Sequence, residues 1–398
     1  MKPFNNLQNN RERKIALNFI ILLGIVSLFG DITYEGARSV TGPFLLTLGA
    51  SAAAVGLIAG TGEFIGYALR LVSGFLADKT RAYWIFVFIG YGLILSIPLL
   101  ALSNLWQIAA IFIIMERMGK AIRTPARDTI LSHATKKVGR GWGFGIHEAL
   151  DQVGALIGPL IFSSVFFLKA GFREGFTILW IPSILTIFVL AIARKKVPYP
   201  EQLEISPKQL KQNKKRENLP RVFWFYSLFI FFAVAGFINF PLISYHFKAH
   251  SIFQTSFIPL IYSLAMGIDA LTALVIGKIY DKSGLISLIV VPLLTICILP
   301  FVFSKNLIFP LIAILLWGMV MGIHETIMRA ALADLVPVKQ RGFAYGIFNT
   351  IYGLSWLLGG IIMGMFYDIS LTFLILFALI MEIISFPLFF LLKREIGK

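Results

Sequence analysis

Charge is set into stretches that are otherwise apolar. Asp31, Glu35 and Arg38 are four and three residues apart, a spacing that lays all three on one helical face. Glu63, Tyr67 and Arg70 form a second stripe. Glu116, Lys120, Arg123 and Arg127 form a third, and His147, Glu148 and Asp151 a fourth. Two kinds of chemistry suit these residues. Burial disfavours the charged form of an acid, so a carboxyl in an apolar stretch can load and unload protons near neutral pH. Asp31, about halfway along its stretch, is the first proton-carrier candidate. Glu35, His147, Glu148 and Asp151 extend it into a candidate relay, since an imidazole titrates near neutrality even unperturbed. Arg38, Arg70, Lys120 and Arg123 would offset these acids or grip an anionic group, with Glu63 and Tyr67 beside them. The competing reading is that mixed-sign stripes neutralise one another as structural ion pairs between helices, above all Glu116 with Lys120.

The second half of the chain is barer. It offers Asn239, Asp269, His324, Glu325, Arg329, Asn349, Tyr352 and Glu382. Of these, Asn239, His324, Glu325, Asn349 and Tyr352, with Trp356, are candidates to meet a solute from the other side. The expected division is proton and charged-group handling by the first half and shape and aromatic contact from the second.

The elements that must position these residues are membrane spans. Apolar residues make up 58% of the 398-residue chain and charged residues 14%, with 37 Phe. Soluble domains run at roughly 45–50% and about 25%. Twelve stretches are long and apolar enough to cross a bilayer as helices: 15–47, 51–77, 82–102, 105–133, 141–168, 174–193, 221–246, 252–280, 285–304, 306–334, 342–367 and 370–392. Runs such as Phe373 to Met381 do not alternate as barrel strands would. The expected class is therefore an all-α membrane protein.

The net charge of +16 invites a nucleic-acid reading, but the positions of the charges argue against it. Lys and Arg crowd the loops on one side and the stretch 194–220, whereas the other side has only Lys169, Arg173, Lys248 and Lys305. By the positive-inside rule both termini are expected in the cytoplasm, in a multi-pass protein of the inner (plasma) membrane. No nucleic-acid partner is expected. The lone Cys297 excludes an intramolecular disulfide. The first apolar stretch runs on into polar sequence without a small-residue cleavage site, so it is read as a retained first helix.

The chain also repeats itself. Arg140-Gly141-Trp142-Gly143-Phe144-Gly145-Ile146 returns 201 residues later as Arg341-Gly342-Phe343-Ala344-Tyr345-Gly346-Ile347. Gly74-Phe75-Leu76-Ala77-Asp78-Lys79 returns at an offset of 203 as Gly277-Lys278-Ile279-Tyr280-Asp281-Lys282. Two like half-chains predict two pseudo-symmetric bundles. Residues 1–193 would form one six-helix bundle and 221–398 the other. The basic, proline-containing stretch 194–220 would be the cytoplasmic linker between them.

With these features the chain resembles the major facilitator superfamily over nearly its whole length. The family's loop signature is Gly-xxx-Asp-(Arg/Lys)-x-Gly-(Arg/Lys)-(Arg/Lys). Gly74, Asp78 and Lys79 match it, but Arg81 stands at the loop glycine, and Ala82 and Tyr83 replace the basic pair. The second copy keeps Gly277, Asp281, Lys282 and Gly284. The resemblance implies a cytoplasmic latch between the halves, built from these motifs with Arg140 and Arg341. Asp78 would meet Arg127 and the start of the helix near Gly342, and Asp281 would meet Arg329. Gly154-xxx-Gly158-Pro159 resembles the antiporter motif of drug–proton exchangers, with Phe162 and Ser163 where that family usually has two further glycines. As a bare spacing it lets helices pack closely, and the proline interrupts the hydrogen-bond ladder.

The sequence thus reads as a secondary transporter that rocks between two open states. The favoured mode is proton-coupled antiport, exporting a small organic solute or drug. The alternative is proton symport for uptake of a polar or anionic metabolite, which the basic residues Arg38, Arg70, Arg117, Lys120, Arg123 and Arg127 favour. A lipid flippase, an embedded interaction partner and a metal-ion transporter are the remaining readings. No enzyme chemistry is expected. There is no Gly-xxxx-Gly-Lys-(Ser/Thr) phosphate loop, no tight metal-ligand spacing and no implied cofactor. The expected partners are protons, a small-molecule substrate and the lipid bilayer, with the protein acting as a monomer.

Overall fold

The computed structural model describes the backbone of residues 2–203, 219–337 and 340–396. Within these it describes the side chains except 2–12, 137, 140, 141, 202, 203, 329, 333 and 342. Its helices are α1 (Lys2–Thr47), α2 (Ala52–Thr80), α3 (Tyr83–Gly92), α4 (Trp106–Val138), α5 (Arg140–Phe167), α6 (Phe172–Ile178) and α7 (Trp180–Lys196). After the linker come α8 (Arg221–Ala235), α9 (Phe240–Ala249), α10 (Phe257–Ser283), α11 (Val290–Val302), α12 (Ile308–Leu335), α13 (Arg341–Ile369) and α14 (Leu371–Ile396). Tight turns carry α3 on to Leu102. α6 with α7, and α8 with α9, each make one interrupted crossing. Among the described residues ten segments are long and apolar enough to cross a membrane, and one of them, Phe257–Val302, covers two of the predicted spans, an arrangement consistent with twelve crossings.

The interruptions have local causes. Pro182 cannot donate to Ile178 and its ring crowds that carbonyl, so the helix breaks at Leu179. Pro241 does the same at Phe237. There Gly236 closes α8, and Asn239 caps α9 by accepting from the Leu242 N–H at 2.9 Å. The continuous span expected over 221–246 is thus two half-helices. α4 is not among the helices apolar enough to cross a membrane unaided. Its charges are answered by neighbouring helices instead.

Close packing is set by glycine. A methyl on Gly158 would lie 2.4 Å from the Ile32 carbonyl and 3.1 Å from the Cα of Gly36, so α5 lies directly on α1. Across the halves, Gly56 of α2 meets Gly360 of α13 in the same way. α2 and α13 run antiparallel, from Ala52 beside Asp368 to Leu71 beside Gly346. Apolar side chains such as Leu274, Ile383 and Ile85 face outward.

An even number of crossings brings both ends of each half to one face of the bundle, here the terminus-side face. At the opposite face the halves are fastened. Asp368 accepts the backbone N–H groups of Ala52 (3.1 Å) and Ala53 (2.8 Å) at the start of α2. Ser163 donates to the Ser256 carbonyl at 2.7 Å, and Tyr245 to that of Ala50 at 3.4 Å.

Candidate functional site

The midsection of the first half holds a continuous ion-pair chain. α1 contributes Tyr34, Glu35 and Arg38, α2 Glu63, and α4 Glu116, Arg117, Lys120 and Arg123. Glu63 is held by Arg38 at 3.2 Å and by Arg117 at 3.3 Å. Arg38 also lies 3.8 Å from Glu35, and Glu116 joins Arg117 at 3.6 Å to Arg123 at 3.3 Å. The Tyr34 ring sits under Arg117, 3.9 Å from its centroid, and under Lys120 at 4.4 Å. Its hydroxyl is buried with no hydrogen-bond partner among the described residues.

These groups border a narrow, partly open cleft lined by Tyr34, Arg38, Thr41, Glu63, Glu116 and Arg117 and, from the second half, Asn239 and Pro241. Its polar wall belongs almost wholly to the first half. A bound anionic group could replace Glu63 between the two guanidiniums without leaving either unpaired, which is the geometry such recognition needs.

The expected proton relay divides into three. Asp31 packs against Gly154, its Cβ 3.1 Å from where a methyl there would sit, and lies within electrostatic range of Asp151, Lys120 and Glu35. One Asp151 oxygen is buried without a hydrogen-bond partner. His147 belongs to another network. Its Nε2 lies 3.0 Å from Ser27 Oγ, which also meets Tyr91 at 3.1 Å and Arg127 at 3.2 Å. Glu148 is exposed, takes a 3.4 Å bond from Gln152, and faces the charge of Glu325 across the halves.

The remaining expected solute contacts are scattered. Arg123 is buried and donates to the Gly90 carbonyl at 3.4 Å, so its place is structural. Asn239 borders the cleft, but its side-chain oxygen is spent on the α9 cap. Tyr352 and Trp356 are not on the cleft wall. Tyr352 stacks edge-on against Tyr67, with ring centres 4.7 Å apart, and Trp356 packs on Phe237 at 5.7 Å. Phe237 projects from the α8–α9 break, with its ring against those of Trp317 and Trp356. His324 is buried behind it, 3.5 Å from the Tyr352 hydroxyl. Arg70 and Asn349 border a separate cleft toward the terminus-side face, with about 860 Å³ of empty space, beside Gly74, Pro125 and Asp128.

The latch residues are placed differently from expectation. Gly74 does admit a neighbour, the Pro125 ring of α4, 3.3 Å from a methyl's position. Arg127, however, pairs with Asp128 at 2.9 Å rather than with Asp78, because Asp128 is its chain neighbour and needs no second helix to reach it. Asp78 accepts from Tyr83 at 3.2 Å, and Arg341 donates to the Val336 carbonyl at 3.3 Å. Gly277 makes only an ordinary contact with Thr326, and Lys79 and Asp281 are exposed. The Arg140 and Arg329 side chains lie outside the described residues.

Sequence reading missed three contributors and gave a fourth, Arg117, no place among the site residues. Tyr34 gave no signal beyond its place one residue before Glu35. Arg117 was visible as a charge in an apolar span, but it is off the i, i+4 stripe. Tyr262 donates to Glu35 across the halves at 2.5 Å, and nothing local marks it. Asp368 fastens the opposite face, and its only signal was an acid at the end of a span.

Comparison with known proteins agrees with this architecture. The family model described as Major Facilitator Superfamily matches residues 20–360. An uncharacterised protein of Mycobacterium tuberculosis (strain ATCC 25618 / H37Rv) is 39% identical over 382 residues, covering 95% of this chain and 93% of that one. An uncharacterised transporter of the same superfamily type from Methanocaldococcus jannaschii is 31% identical over 398 residues, covering 96% of each chain. The crystal structure of a bacterial homologue of the human lysosomal transporter Spinster, inward-facing and unoccupied, superposes with a TM-score of 0.73 at 16% identity. The match covers 99% of this chain and 98% of that one, a likeness of fold.

Proposed function

The chain belongs to the major facilitator superfamily, and on that premise we propose that it is a proton-coupled secondary transporter of a small polar solute bearing an anionic group. One observation carries this reading: Arg38 and Arg117 converge on Glu63 within 3.3 Å at the cleft. Without solute, Glu63 neutralises the guanidiniums. An arriving carboxylate or phosphate takes its place, and the displaced Glu63 then holds a proton, because two anions cannot share the dry site. Proton and solute would thus bind together. The halves 1–193 and 221–398 rock about the cleft, with 194–220 as the tether. In this reading the terminus-side face and both termini lie in the cytoplasm, with the protein in the inner (plasma) membrane, which the basic loops support.

A second reading, proton-driven export of a solute, has its own support. Gly154 and Gly158 press α5 onto α1 at Asp31, which puts the helix-packing motif and an embedded acid at one point. Thermal stabilisation of the purified protein separates the two, since a ligand of the folded state raises its melting temperature. Small organic anions are expected to stabilise the wild type but not Arg117→Ala. In Glu63→Gln the stabilisation should no longer depend on pH. Stabilisation by lipophilic cations alone, lost in Asp31→Asn, would replace the first reading with the second.

A further inference from the structure

Glu382 has no part in the cleft, yet it is the most isolated acid described. It lies midway along α14 and is fully buried. Neither of its oxygens has a hydrogen-bond partner among the described residues. One of them points at the α8–α9 break: a methyl on Gly236 would sit 2.6 Å from Oε1, and 3.1 Å from the Ala378 carbonyl.

The elements packed on α14 carry their basic groups only at their ends, Arg221 at the start of α8 and Arg341 at the start of α13. α8 carries Arg221 and Tyr226, α11 Cys297, and α13 Arg341, Tyr345, Tyr352, Tyr367 and Asp368. The turn 284–289 carries no titratable group. Among the described residues no charged group acts on Glu382. Tyr226 donates to the Met328 carbonyl, Tyr367 meets His246 at 2.8 Å, and Asp368 holds the start of α2. The nearest fixed dipole is the carbonyl end of α8, which repels an anion.

We propose that Glu382 and the α8–α9 break form a proton-binding site in the second half, distinct from the cleft. A bare carboxylate could not persist there, because burying an uncompensated charge is far more costly than holding a neutral acid. A protonated carboxyl has an O–H that can donate to a carbonyl freed by the break. The same break carries Asn239 to the cleft and Phe237 to His324, Trp317 and Trp356, and the Ile238 carbonyl accepts from the Trp317 indole at 2.9 Å. Release of the proton therefore requires the break or α14 to move and admit water. By linkage, deprotonation favours the conformation in which the opposite face is open. The inference deepens the proton-coupled reading and gives the second half its own coupling group.

Two measurements on the full chain in liposomes test it, with the proton as the only ligand and no solute present. In infrared difference spectra at neutral pH, the wild type should show a protonated carboxyl band that Glu382→Gln removes, Glu382→Asp shifts, and Asp31→Asn leaves. Carboxylate bands in its place would overturn the site. The second measurement is the distance between spin labels on Thr47→Cys and Thr372→Cys, both exposed, in a Cys297→Ser background. Raising the pH should lengthen it in the wild type and in Glu382→Asp, but not in Glu382→Gln. Identical pH profiles for the wild type and Glu382→Gln would overturn the coupling. Should Glu382→Gln fail to fold, the Glu382→Asp band shift alone decides the site. Neither readout involves solute, so a protein that moves no solute with protons would overturn the proposed function and leave this site standing.

Discussion

The cleft of the first half and the α14 core of the second treat buried charge in opposite ways. In the first half, Glu35, Arg38, Glu63, Arg117, Glu116 and Arg123 form one chain in which each charge touches its opposite. In the second half, Glu382 is buried with no hydrogen-bond partner among the described residues. A paired network keeps its charges at every stage and can exchange partners. A lone acid must lose its charge to stay buried. The first arrangement suits recognition of a charged solute, and the second suits a group that is either protonated or exposed.

Stability measurements can break this contrast. Arg123→Ala should have the largest effect, a loss of roughly 3–5 kcal/mol, since it breaks a buried pair and leaves Glu116 only its 3.6 Å contact with Arg117. Glu382→Leu should instead be neutral or stabilising, by up to about 3 kcal/mol, because it removes an unsatisfied polar group. Melting curves of the purified variants that moved in the same direction would end the comparison.

The repeated loop sharpens it at a smaller scale. Arg81 and Gly284 occupy equivalent positions, and both have positive φ, +55° and +60°. Arg81 closes α2 in the left-handed region, with ψ of 17°, whereas Gly284 has ψ of −146°, a region open to little but glycine. Gly284→Ala should therefore destabilise by about 1–3 kcal/mol. Arg81→Gly should gain on the order of 1 kcal/mol, read as a higher melting temperature.

Asp368→Ala should remove about 0.5–2 kcal/mol of capping at the start of α2. The distance between labels at 47 and 372 should lengthen at neutral pH, and an unchanged distance would mean that the opposite face is held elsewhere. The smallest effect is expected at the paired motif glycines. Gly277→Ala has room for its methyl and should stabilise by up to about 1 kcal/mol, while Gly74→Ala gives back part of that gain against Pro125. Equal melting shifts would show that the two copies pack alike.

Much of the architecture was legible because it rests on local pattern. Runs of about 20 apolar residues suffice to place twelve crossings, and spacings of three and four suffice to place Asp31 with Glu35 and Arg38 on one face. The α8–α9 break was also written locally, in Gly236, Asn239 and Pro241, but hydropathy alone passes through it. The site was less legible. Six basic residues in the first-half spans indicated a charged interior without saying which acid each would meet.

The sequence by itself determined the twelve crossings, the two-fold repeat and the depth of each charge. These follow from the rise per residue of a helix and the cost of apolar surface in water, which neighbouring helices cannot alter. Only the tertiary structure decided the partners. Arg127 turned to Asp128 and Ser27, Arg38 and Arg117 converged on Glu63, Tyr352 packed on Tyr67 and Trp356 on Phe237, and Glu382 was left with no partner among the described residues. Partner choice depends on how far each helix is rotated and how closely glycine lets it approach. A turn of one residue, about 100°, exchanges one partner for another at no cost visible along the chain.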